Sequence, residues 1–216
     1  MKKCLIYTLI LLLLLIGGLT SINAQISLPL TGKLIIIDPG HGGVDPGTVY
    51  GDIYEKDINL QISLSLQKEL ESYGASVILT REGDYDLSSA NATFRKKSDF
   101  NNRIKLINES NADLYLSMHL NYLNDSRYYG PQVFYKQEDV KLATIFQQEL
   151  NETAKSDRNI KIIPNTTYMY EKLQVPGLLI ECGFLSNSNE REKLKSSAYQ
   201  KELSKAISRA LIKYFT

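Results

Sequence analysis

Short aliphatic runs that alternate with helical segments constrain the fold of this 216-residue chain more than any other feature. Lys33–Ile37 (KLIII) reads as a fully buried strand of the kind found in parallel sheets and Leu178–Ile180 (LLI) as another buried strand, while Ala75–Thr80 (ASVILT), short and β-branched, and Asp113–Met118 (DLYLSM) are strands between them. Gly130–Tyr135 is a further strand opened by Gly-Pro, and residues 160–173 mix strand and loop. Between them, Ile58, Ile62, Leu66, Leu70 and Tyr73 fall on one face of a helix predicted from about Asp57 to Tyr73, which Gly74 closes. Helices are also predicted over Asp99–Asn108, over Asp139 to about Ala154, and over Tyr199–Phe215, while polar residues 82–98 read as a surface loop. Alternating strands and helices predict an α/β fold: one domain with a mostly parallel, twisted sheet of about six strands flanked by helices. No internal repeat, low-complexity tract or linker points to a second domain.

The first 24 residues carry an address. Lys2 and Lys3 precede an apolar run, Leu5–Ile16, then Gly17-Gly18 and a small-polar stretch ending at Ala24. This is the pattern of a secretory signal cleaved after Ala24 or, if retained, of an N-terminal membrane anchor. The run is shorter than the roughly 20 residues a spanning helix needs. Residues 25–216 are then an exported domain. The whole chain has 25 basic and 24 acidic residues; losing Lys2 and Lys3 leaves 23 against 24. A nearly neutral chain without a basic run argues against a nucleic-acid partner, and its net charge would not hold it to an anionic wall polymer. Of the two cysteines, Cys4 is removed with the signal, so Cys182 has no internal disulfide partner and reads as a small buried residue.

The chemistry concentrates at the carboxyl ends of the strands. The only two histidines are His41, just past the KLIII strand, and His119, just past DLYLSM. Both therefore face the crevice where open α/β sheets bind ligands. Paired histidines there suggest a metal site, and a hydrolytic zinc site wants a third ligand and an open position. Glu55 and Asp57, at the start of the first helix beyond the loop leaving His41, both qualify by spacing. Glu181 follows the LLI strand directly. A carboxylate so placed needs a partner, and it suits a general base acting on water at the metal. No Gly-x-Ser-x-Gly elbow supports a serine hydrolase.

Four ordered motifs, Asp38-Pro-Gly-His41-Gly-Gly, Glu55-Lys-Asp-Ile-Asn-Leu, Ser117-Met-His119-Leu-Asn121 and Glu181-Cys-Gly-Phe-Leu-Ser-Asn187, resemble those of the zinc-dependent N-acetylmuramoyl-L-alanine amidases of the amidase-3 type. The resemblance runs from about Lys33 to Tyr214. It implies Zn²⁺ held by His41, Glu55 and His119, choosing Glu55 over Asp57, with Glu181 catalytic. The implied reaction is hydrolysis of the amide joining N-acetylmuramic acid to L-alanine in peptidoglycan. Met118 and Leu120 stand where relatives often carry Ile and Ala, and Cys182 where the residue is usually small or aliphatic; no ligand is lost. Ser27–Lys33, Arg103–Asn108 and the chain length look like the spore-cortex, germination-specific branch. That implies a role in forming muramic δ-lactam and work in the wall or between the forespore membranes. A vegetative amidase of cell separation, a zinc peptidase cutting the stem peptide and a wall-binding protein without activity are the alternatives. The chain has no wall-binding repeat, so a spore-envelope partner protein is a further expectation.

Overall fold

The computed structural model describes residues 28–164 and 166–216; the segment read as a signal or anchor lies outside them. Six strands form the main sheet: β1 (Leu34–Pro39), β4 (Ser76–Leu79), β5 (Leu114–Asn121), β6 (Gln132–Tyr135), β7 (Lys161–Ile162) and β8 (Gly177–Phe184). Their order is β4-β1-β5-β8-β6-β7, and every neighbouring pair is parallel except β6 with β8. The α/β domain with a mostly parallel six-stranded sheet is thus the one expected. A small hairpin, β2 (Val49–Tyr50) with β3 (Ile53–Tyr54), sits in the Gly-rich loop after β1.

Side-chain alternation splits the sheet into two faces. Ile35, Ile37, Leu114, Leu116, Met118, Leu178, Ile180 and Cys182 join the larger core. Three helices cover it: α1 (Glu55–Ser72), α3 (Val140–Ala154) and α6 (Ser197–Phe215). They contribute Ile58, Ile62, Leu66 and Leu70; Leu142, Phe146 and Leu150; and Leu203, Ile207 and Leu211. The opposite face carries Ile36, Tyr115 and Leu179 beneath α2 (Arg95–Glu109) and α4 (Tyr168–Lys172). Among the described residues no helix is long and apolar enough to cross a membrane.

Two differences from the sequence reading bear on the site. His119 and Glu181 lie inside strands rather than just past them. The apolar alternation outlasts the polar residue in each case: Leu120 and Cys182 stay in the core, so β5 runs to Asn121 and β8 to Phe184. The register pairs His119 with Glu181, then slips so that Asn121 meets Phe184, leaving one extra residue on β8. Secondly, helices start earlier than expected: α1 at Glu55 and α2 at Arg95. A helix absent from the sequence reading, α5 (Ser188–Lys195), is capped by Asn187, whose side chain accepts from the backbone N–H groups of Asn189 and Glu190.

Candidate metal centre

The chain leaves β1 through α1 to β4 on one side, then crosses to β5 on the other. The crevice between the carboxyl ends of β1 and β5 is therefore the topological switch point. His41 enters it from the loop after β1, His119 from β5 and Glu55 from the first turn of α1. One ligand atom from each of these three residues lies within 4.8 Å of the others, so the group could hold a metal ion. Asp57, the competing carboxylate, is exposed and stands outside the group.

Glu55 is the hub. Its Oε1 lies 3.2 Å from His41 Nε2 and 3.1 Å from His119 Nδ1. The same oxygen accepts from the Leu120 backbone N–H at 3.0 Å and from Asn59 Nδ2 at 3.3 Å. Its Oε2 accepts from the Thr48 N–H at 2.9 Å. Burial alone would raise its pKa; His119 and His41 outweigh that and hold the carboxyl well below the usual range. Space is fixed as tightly as charge. A Cβ on Gly47, whose φ is +66°, would stand 2.6 Å from His41 Cδ2 and 2.7 Å from Glu55 Oε2. One on Gly40 would collide with the His119 ring.

Asp45 was not anticipated. Its Oδ2 lies 3.0 Å from His41 Nδ1, the ring nitrogen on the far side from Glu55. A carboxylate behind a histidine fixes ring orientation and tautomer and strengthens the ligand. Its signal was its position, four residues after His41 in an Asp-Pro-Gly turn. Without metal, burial opposes protonation of His41, but hydrogen bonds to Asp45 and Glu55 outweigh it and raise its pKa to about 9.

Two arginines to which the sequence assigns no role at the site hold the His41 loop. Arg81 Nε donates to the Pro39 carbonyl at 3.0 Å and its Nη2 to the Gly40 carbonyl at 2.9 Å. Arg103 Nη1 donates to the Pro39 carbonyl at 2.9 Å and its Nη2 to the His41 carbonyl at 2.7 Å. Both guanidiniums are buried. They pin a loop in which His41 has φ +63°, a conformation few non-glycine residues adopt. Arg103 is itself neutralised by Asp38 at 2.6 Å and Asp99 at 3.0 Å.

Glu181 shares its sheet face with His119, its register partner. Its Oε2 is buried without a hydrogen-bond partner. Burial first, and the Glu55 charge second, push its pKa up to about 8, against the pull of His41. The carboxyl is thus poised to carry a proton near neutral pH. Cys182, next to it, points into the opposite core at 1 % exposure, and burial pushes its thiol up. It packs rather than reacts.

Two imidazoles and a carboxylate converging on one point, beside a second carboxyl with a raised pKa, are the parts of a metal-dependent hydrolase. The comparisons with known proteins agree. The N-acetylmuramoyl-L-alanine amidase family, Amidase_3, matches residues 35–213, and the chain belongs to that family. It is 41% identical over 197 residues to the germination-specific N-acetylmuramoyl-L-alanine amidase of Bacillus subtilis, covering 88% of this chain and 83% of that one. It is 29% identical to the amidase LytC of the same organism, covering 91% of this chain but 38% of LytC. Among solved structures, the CwlD amidase of Clostridioides difficile, determined in complex with the GerS lipoprotein, superposes with a TM-score of 0.79 at 40% identity. That match covers 84% of this chain and 98% of CwlD.

Proposed function

We propose that this amidase acts on spore-cortex peptidoglycan, cutting the amide between the lactyl group of N-acetylmuramic acid and L-alanine, with Zn²⁺ held by His41, Glu55 and His119. The family supplies the bond, and the germination-specific relative supplies the setting. Two imidazole nitrogens and a carboxylate oxygen are a donor set that would suit a hydrolytic zinc ion. When bound, zinc polarises the scissile carbonyl and makes a water acidic enough to attack it near neutral pH.

The rest falls to the chain's own residues. Glu181 takes the proton of the attacking water onto its unpartnered carboxylate and returns it to the L-alanine nitrogen, which must be protonated to leave. A carboxyl of ordinary pKa would accept that proton less readily and lose it to solvent sooner; one raised to about 8 can hold it between the two steps. Asp45 keeps the His41 ring turned toward the centre, and Arg81 and Arg103 keep its loop in place. Half-buried Glu181, whose Oε2 is buried without a partner on the sheet face of His119, is the observation that carries this mechanism.

The exported compartment follows from the segment 1–24 as read from sequence, and the relatives include a probable cell wall amidase, LytH of Staphylococcus aureus. CwlD's complex with a lipoprotein supports a similar envelope partner here.

Paired substitutions test the division of labour. Glu181→Gln should keep zinc and fold while turnover falls by about 10²–10⁴-fold. Glu55→Gln should lose zinc and recover part of its activity in excess metal. Zinc content and rate, measured for both across a zinc titration, would reverse the two roles if Glu181→Gln is the one rescued.

A further inference from the structure

The cleft of the metal centre continues into a second cavity. Phe100 and Tyr168 line both the space that holds His41 and His119 and an adjoining open groove of about 680 Å³ walled by Phe94, Arg95, Lys96 and Lys97. The two shared rings stack with centroids 6.5 Å apart. Phe94 is 75 % exposed, a large apolar surface left to solvent beside the cleft.

The charges of this groove are placed against local preference. Arg95, Lys96 and Lys97 occupy the first turn of α2, which carries no acidic residue and no side-chain cap. The helix dipole disfavours cations there. Departures from a local rule without a structural return concentrate at functional surfaces. Arg95 is turned to Asp86 and Lys96 lies 3.5 Å from Asp45. Lys97 and Lys172 make no ion pair among the described residues; both instead stand over the Tyr168 ring, at 5.9 and 5.1 Å. Tyr168 is held by its hydroxyl donating to Asn101 at 2.7 Å.

We propose that this groove is the stem-peptide subsite: Tyr168 and Phe94 bear on the peptide, and Lys97 and Lys172 receive its carboxylates. The inference rests on the amidase reading and names which half of the substrate lies on which side of the metal centre. Charge makes the choice. The glycan is uncharged once its lactyl groups are amidated, whereas the stem peptide bears free carboxylates from its acidic residues and its C-terminus. A groove that opens from the cleft, with Lys97 and Lys172 outside any ion pair among the described residues, therefore matches the leaving peptide and leaves the glycan to the other side.

The test compares two soluble muramoyl peptides, one with free stem carboxylates and one with the same stem converted to carboxamides. Both are assayed with the parent and with Lys97→Glu/Lys172→Glu, whose exposed positions leave folding unchanged by circular dichroism. Two exposed charge reversals should raise KM for the carboxylate substrate about tenfold, with kcat unchanged within about twofold. KM for the carboxamide should stay at the parent's value, and added salt should shrink the difference. Equal KM for parent and variant on the carboxylate substrate, equal shifts on both substrates, or a loss confined to kcat would each overturn the subsite while leaving the amidase reading intact. Failure of the parent to release a free L-alanine amine from either substrate would overturn both.

Discussion

Glu55 shows how one side chain can be two things at once. It is the acceptor that ties both histidines to α1, and the same oxygen belongs to the group that could hold a cation. This coupling has a pH consequence. His41 has a pKa raised from 6.5 to about 9, so its bond to the carboxylates contributes stability that is fully present below pH 6.5 and is lost as pH rises through 9. The metal-stripped protein should therefore melt several degrees lower at pH 9.5 than at pH 6, while the zinc-loaded protein, with His41 neutral throughout, should lack that drop. Thermal melts with and without chelator check it; parallel pH profiles would contradict it. Asp45 belongs to the same scale. Asp45→Asn keeps the size of the side chain but weakens the support behind His41, and zinc affinity should fall by about 10–100-fold by competition titration, with the fold retained.

At the scale of elements, what the sequence disclosed depended on how local the cause was. Strands β1, β5 and β8 and helix α1 were legible because each buries a periodic set of side chains. The ends were not. The polar identity of His119 and Glu181 suggests a strand's end, yet the next residue on each strand still packs in the core, which keeps the strand going. Helix α5 is short and hydrophilic, and its one marker was the cap at Asn187 with Glu190 three residues on. The roles of Arg81 and Arg103 were hidden for a different reason: their partners are backbone carbonyls and carboxylates that meet them only in the folded chain, up to 65 positions away. Their costs should differ. Arg103→Leu strands two buried carboxylates, Asp38 and Asp99, and should cost about 3–5 kcal/mol in urea unfolding. Arg81→Leu strands no charge, and the Pro39 and Gly40 carbonyls keep donors in Arg103 and Asn59, so it should cost less, about 1–3 kcal/mol in all. Equal costs would contradict the role given to the carboxylates.

Across the whole molecule, one topological fact organises the rest. The chain departs from β1 in both directions, so three separated sequence segments meet at one crevice, and β8 brings a fourth beside them. The two histidines and Glu181 were legible because each ends or interrupts an aliphatic strand. Glu55 was chosen over Asp57 by family resemblance, and the fold gives the reason: the helix begins at Glu55, so that residue turns inward and Asp57 outward. On the proposed mechanism this crevice, with Glu181 as its proton carrier, breaks the bond between sugar and peptide. Mass spectrometry of purified spore-cortex sacculi digested by residues 25–216 loaded with zinc tests that directly. The expected products are glycan strands with free lactyl carboxylates and intact stem peptides beginning with a free L-alanine amine, and neither should form with Glu181→Gln. Peptide fragments cut within the stem, with the lactyl amide intact, would contradict it.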